Sequence, residues 1–185
     1  MRRIRIVVAY DGTNYCGWQI QPNGITIEEI LNRQISKLTG EDIRIIGASR
    51  TDSGVHALGN VAVFDTESRI PGDRFAYALN QKMPEDIVIV RSDEVQIDWH
   101  PRYQNEISKT YEYHIYNAKV RNPLKNRYSP FVSFDLDVEK MRQGAKYILG
   151  EHDFASFCNV RTNAKDTVRT VHEITIKEIP MDKFQ

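Results

Sequence analysis

Between Ile4 and Val90 the apolar residues switch between a two-residue and a helical period in one order: strand, helix, strand, strand, helix, strand. That succession limits the fold more than any other feature of the chain. Ile4, Ile6, Val8 and Tyr10 alternate and predict a strand. Thr26-Ile27-Glu28-Glu29 is a capping box, and Ile27, Ile30, Leu31 and Leu38 follow at helical spacing until Gly40 stops the helix. Residues 43–48 and 60–66 predict two further strands. Pro71 opens a second helix that carries Phe75, Ala78 and Leu79, and residues 87–90 predict a fourth strand.

This β-α-β-β-α-β order is the ferredoxin-like unit. A second unit begins near residue 108. Residues 110–116 predict a strand rich in Tyr and Ile; Val138, Met141, Ala145, Ile148 and Leu149 mark a helix ended by Gly150; residues 168–179 predict a long strand. The expected fold class is therefore α+β, with two ferredoxin-like halves around a mostly antiparallel sheet. The expected division is an N-terminal half over residues 1–100 and the start of a second over 101–185, the second incomplete at its C-terminal end. A complete α+β domain of one and a half units is the alternative, and it would leave the last strand as an exposed edge.

Composition narrows the class. A chain of 185 residues can bury roughly 70% of its unfolded surface without a disulfide staple. Lys plus Arg and Asp plus Glu both number 25, so net charge alone gives no hint of a nucleic-acid partner. The charge is uneven, however. Between Asp65 and Asp98 eight acidic residues face four basic ones; between Arg102 and Arg127 six basic residues face two acidic ones; Arg2, Arg3 and Arg5 add a basic start. Such a stripe either holds phosphates or is ordinary solvated charge. Cys16 and Cys158 are far apart and read as two reduced thiols. No apolar run approaches the roughly 18 residues of a membrane span, and the start is no signal peptide, so a cytoplasmic protein is expected.

Three segments could carry chemistry. The first is Ser49-Arg50-Thr51-Asp52-Ser53-Gly54-Val55-His56-Ala57, between two predicted strands. Read locally, Asp52-Ser53-Gly54 is a turn. Yet the loop is longer than a hairpin needs, Arg50 stands two residues before Asp52, and a carboxylate on such a loop suits a nucleophile. Asp52, Ser53 and His56 do not make a persuasive Ser-His-Asp triad, because close neighbours in the chain cannot easily converge. His56, His100, His114, His152 and His172 lack the spacing of a zinc site, so no metal is expected. The second segment, Tyr10 to Gln19, lacks a Gly-Lys-Ser/Thr phosphate loop. It is either an ordered loop pinned by Tyr15 and Trp18 or a loop that brings those rings to an RNA groove. In the third, Tyr111 and Tyr113 would share one face of a strand, either packed or stacking on a flipped base.

Together these segments resemble the tRNA pseudouridine synthase A family. Its members carry Tyr-Asp-Gly-x-x-Tyr-x-Gly-Trp-Gln, as at residues 10–19, Gly-x-x-Arg-Thr-Asp-x-Gly-Val-His-Ala, as at 47–57, and a Tyr-x-Tyr strand, as at Tyr111 and Tyr113. Pro101-Arg102 and the phrase from Leu149 to Phe154 also match. The resemblance implies an isomerase that attacks the sugar or the base of the target nucleotide through Asp52. Tyr111 would stack on the uracil and help remove the carbon-5 proton; Arg50 would help extrude the base and orient Asp52. It implies tRNA as partner, at uridines of the anticodon arm just 3′ of the anticodon, a homodimer, and no cofactor. Family members continue with a Met-Val-Arg-like phrase whose basic residue pairs with the catalytic aspartate. Without it, the 185 residues alone are expected to be inactive or nearly so. Two other readings compete: a non-catalytic RNA-binding fragment of such an enzyme, and a hydrolase using Asp52 and His56. An RRM is disfavoured, because residues 59–64 lack its aromatic signature.

Overall fold

The computed structural model describes residues 1–103, 108–158 and 166–179. It is a mixed α/β structure that divides into two compact units, Met1–Tyr111 and Glu112–Gln185.

The first unit is built on β1 (Arg2–Tyr10), whose alternation puts Ile4, Ile6, Val8 and Tyr10 on one face, none more than 5% exposed. Helix α1 (Ile27–Thr39) lays Ile27, Ile30, Leu31 and Ile35 on that face. Thr26 caps it by accepting from the Glu29 N–H, and Gly40 ends it in the left-handed region at φ 77°. Strands β2 (Ile46–Gly47), β3 (Ala57–Thr66) and β4 (Ile87–Val95), with α2 (Phe75–Asn80), complete the unit. Sheet order is β2-β3-β1-β4 with every neighbouring pair antiparallel. Phe64 of β3 meets Phe75 of α2 edge to face, ring centroids 5.3 Å apart. Each such side chain taken fully out of water stabilises the fold by about 1.5–3 kcal/mol. Thr26 is itself fully buried, so Thr26→Ala is expected to cost about 1 kcal/mol in urea unfolding, within the range for lost N-caps.

Two features shape the functional end of this unit. The expected strand over residues 43–48 is paired only at Ile46 and Gly47. Upstream, the Ile43 and Ile45 N–H groups donate instead to Ser36 Oγ and Asn32 Oδ1 of α1, so the helix takes donors a longer ladder would need. The register of β1 on β3 slips by one residue between Val8 and Tyr10, which face Asn60 and Ala57. A bulge at this point bends β3 where it leaves the loop that carries Asp52.

The sequence also placed three arginines in β1. Arg3 makes a two-pronged pair with Asp65, at 2.7 and 2.8 Å, and Arg5 does the same with Asp93. Arg2 pairs with Glu94 at 3.1 Å. The basic start and part of the acidic stretch thus neutralise each other across the sheet. These three cations are spent on the fold and do not form a phosphate stripe.

In the second unit, β5 (Tyr116–Asn117) lies parallel to β6 (Phe131–Val132), and β7 (Gly150–Asp153) lies antiparallel to β8 (Val168–Val171). Helix α3 (Val138–Ala145) is capped by Asp137, which accepts from the Lys140 N–H at 3.0 Å. The expected strand over 110–116 is replaced by two paired residues at its end, and Tyr113 is 87% exposed. The expected long strand from 168 stops at Val171, and its last residue falls next to those not described. Alternation alone does not hold a strand whose backbone groups find no partner strand. None of this unit's described residues is buried.

Candidate active site

Asp52 stands at the tip of the segment joining β2 to β3, exposed, in the turn that Gly54 closes at φ 78°. The Asp52 carbonyl accepts from the Val55 N–H at 3.2 Å, so the turn predicted from Asp52-Ser53-Gly54 is present. Its side chain meets no hydrogen-bond or ion-pair partner among the described residues. Arg50 is exposed, and no ion pair joins it to Asp52 among the described residues. Tyr111 is 72% exposed and lies outside regular structure.

What holds the loop is the N-terminal segment, residues 10–19. The Trp18 N–H donates to the Thr51 carbonyl at 3.0 Å, and the Gly54 N–H donates to the Tyr15 carbonyl at 3.3 Å. The Ser53 hydroxyl donates to the same Tyr15 carbonyl at 3.2 Å. Gly17 allows the approach: its φ is 82°, and a Cβ there would sit 2.5 Å from the Thr51 oxygen. The Trp18 indole fills the space beside Gly47, where a Cβ would come within 2.6 Å of Nε1. Arg102 closes the other side, donating from Nε to the Gly47 carbonyl at 2.8 Å.

Trp18 is 2% exposed and Tyr15 7%. Of the two readings of this segment, the ordered loop pinned by two buried aromatics describes the fold. The Tyr15 hydroxyl donates to Asp86 Oδ1 at 2.5 Å, and burial followed by that carboxylate raises its pKa well above the usual phenol range.

The triad alternative dissolves. His56 turns to the N-terminal segment: its Nδ1 lies 3.0 Å from Asp11 Oδ1 and 3.2 Å from the Gly12 N–H. Ser53 is bound to Tyr15, as above. Ser53 and His56 are each committed to the N-terminal segment and neither meets the Asp52 carboxylate among the described residues, so the hydrolase reading has no geometry behind it.

Sequence reasoning missed Asn60. It is 9% exposed and donates to the Ser49 carbonyl at 3.1 Å, bracing the other flank of the loop. The signal was available: Asn60 shares the inward parity of Ala62 and Phe64, and a polar residue on a core-facing position needs a partner.

A family model described as tRNA pseudouridine synthase matches residues 6–104 and 145–185. The tRNA pseudouridine synthase A of Acetivibrio thermocellus is 48% identical over 186 residues, covering 100% of this chain and 76% of that protein. That of Brevibacillus brevis is 44% identical, across 97% of this chain and 73% of its own length. The tRNA pseudouridine synthase A 2 of Clostridium perfringens is 48% identical, across 96% of this chain and 72% of its own length. With motif order, loop geometry and whole-chain similarity in agreement, the chain belongs to the tRNA pseudouridine synthase family.

Proposed function

We propose that this protein isomerises uridine to pseudouridine in tRNA, with Asp52 as the attacking carboxylate. The observation that carries the reading is the setting of Asp52. Its carboxylate is exposed and uncommitted, on a turn whose backbone is braced from both sides. A nucleophile for a large substrate needs that combination of access and fixed position.

The chemistry is an internal exchange. The bond from ribose carbon 1′ to uracil N1 breaks, a bond from carbon 1′ to carbon 5 forms, carbon 5 loses a proton and N1 gains one. No electrons are exchanged with a partner, so one carboxylate and a flipped base suffice in principle. Attack on the sugar and attack on the base both fit an exposed carboxylate. Arg50, exposed two residues away, is assigned to base extrusion and to steering Asp52. Tyr111, with its ring open to solvent, is assigned to stacking on the uracil and assisting loss of the carbon-5 proton. The substrate site is the anticodon arm, just 3′ of the anticodon, and the working form is a homodimer. The ferredoxin-like reading of the first half is supported by its β-α-β-β-α-β order and its β2-β3-β1-β4 antiparallel sheet. The same reading is extended to a second half over 101–185.

The test uses the protein as its gene encodes it and a tRNA transcript labelled with tritium at carbon 5 of uridine. Release of tritium is expected, with pseudouridine in the nuclease digest at anticodon-arm positions only. Tight tRNA binding with no tritium release would favour the non-catalytic alternative and sink the proposal.

A further inference from the structure

Beneath the Asp52 loop lies a buried polar chain that the reaction as proposed does not use. Asn60 Nδ2 donates to the Ser49 carbonyl at 3.1 Å and lies 3.4 Å from Tyr10 Oη; Tyr10 Oη lies 2.9 Å from Thr51 Oγ1. Tyr10 is 5% exposed and Asn60 9%, so the polar atoms of this chain are best satisfied by one another.

A carbonyl only accepts, so the Asn60 atom that faces Ser49 is the amide nitrogen, which fixes the flip of the side chain. That same nitrogen then donates its second hydrogen to Tyr10 Oη. The Tyr10 hydrogen must therefore go elsewhere, and Thr51 Oγ1 is the acceptor within reach. Were Thr51 to donate to Tyr10 instead, the phenol hydrogen would be left unmade inside the core, a cost the first arrangement avoids. Burial raises the Tyr10 pKa, so the phenol keeps the proton it donates. Thr51 Oγ1 has no other hydrogen-bond partner among the described residues. Its own hydrogen is unspent, on the residue directly before Asp52.

We infer that Asn60, Tyr10 and Thr51 form a one-way hydrogen-bond relay that presents the Thr51 hydroxyl as a donor to an oxygen of the target nucleotide held at Asp52. Thr51 touches substrate; Tyr10 and Asn60 are positioning residues that act through it. The inference rests on the proposed role of Asp52. A donor fixed in advance and aimed at an oxygen where charge develops favours the transition state over the bound ground state, so its loss falls on kcat.

The test compares Thr51→Val, Thr51→Ser and Tyr10→Phe with the unsubstituted protein and with Asp52→Asn, in the tritium-release assay, with melting temperatures measured alongside. Thr51→Val is expected to lower kcat about tenfold or more with KM within about twofold, and Thr51→Ser to restore it to within about twofold. Tyr10→Phe keeps the Thr51 hydrogen but frees its orientation, so a smaller fall of about threefold is expected. Unchanged kcat in Thr51→Val, or a Ser variant as slow as the Val variant, overturns the relay. So does a loss of rate that only tracks the fraction unfolded. Full activity of Asp52→Asn would instead remove the reading beneath it, and the two failures are separable.

Discussion

Asp52→Asn, made in the protein as its gene encodes it, is expected to abolish pseudouridine formation, by at least about 10³-fold. Asn has the same shape as Asp but is no nucleophile, so the substitution removes chemistry and leaves volume unchanged. The structure explains why the fold should tolerate it. The turn is closed by the Asp52 carbonyl and by Gly54, and the loop is held through Thr51, Ser53 and Ser49. None of these contacts uses the Asp52 carboxylate. The melting temperature should therefore stay within about 2 °C, since an exposed substitution of this kind changes stability by under about 0.5 kcal/mol. Binding of unmodified tRNA should stay within about threefold, because one carboxylate contributes nothing to phosphate neutralisation. A variant that keeps a tenth or more of the rate, by order of magnitude, would remove Asp52 from the nucleophile's role whatever else the loop does.

Trp18→Ala is expected to show the largest stability effect, a loss of about 3–5 kcal/mol in urea unfolding followed by far-ultraviolet circular dichroism. The indole is 2% exposed, lies beside Gly47 and stands 6.0 Å from the Tyr10 ring. Its removal opens a cavity where the N-terminal segment, α1 and the Asp52 loop meet. The Trp18 N–H holds the Thr51 carbonyl and the Trp18 carbonyl accepts from the Glu28 N–H, so slack here reaches the loop and the start of α1. Activity should fall with stability. Trp18→Phe, which refills most of the space, should recover most of both. A loss below about 1 kcal/mol would mean that the site collapses around the smaller side chain and that the indole does not organise the loop. The same pair of variants separates packing from recognition. Loss of tRNA affinity in a folded Trp18→Phe protein would restore the RNA-groove role that its burial argues against.

Helix α1 was legible residue by residue. Its apolar spacing, its Thr26 cap and its Gly40 stop are all local signals, and each took the structural role its chemistry predicts. The inward parity of β1 was legible for the same reason. The strand over 110–116 was not, because alternation states which face a residue would take and says nothing about whether a partner strand is present. For the three arginines of β1 the sequence left phosphate binding and solvated charge both open, and neither named their ion-pair partners. Their partners, Asp65, Asp93 and Glu94, lie more than sixty positions away, and only strand pairing brings them alongside.

The Asp52 loop shows where the division falls. The turn follows from local order alone, since Asp52-Ser53-Gly54 closes through its own backbone and a glycine that accepts positive φ. So does the motif that marks the family, because a motif is a property of order along the chain. What the neighbouring residues do is settled by the three-dimensional fold. It sends Ser53 to Tyr15 and His56 to Asp11, buries Trp18 against Gly47, and sets Asn60 and Tyr10 beneath Thr51. The reason is physical. A turn is settled by the torsions of four successive residues, whereas burial and hydrogen-bond pairing are settled by whichever groups the sheet register brings within 3 Å or so, and register depends on the whole chain at once.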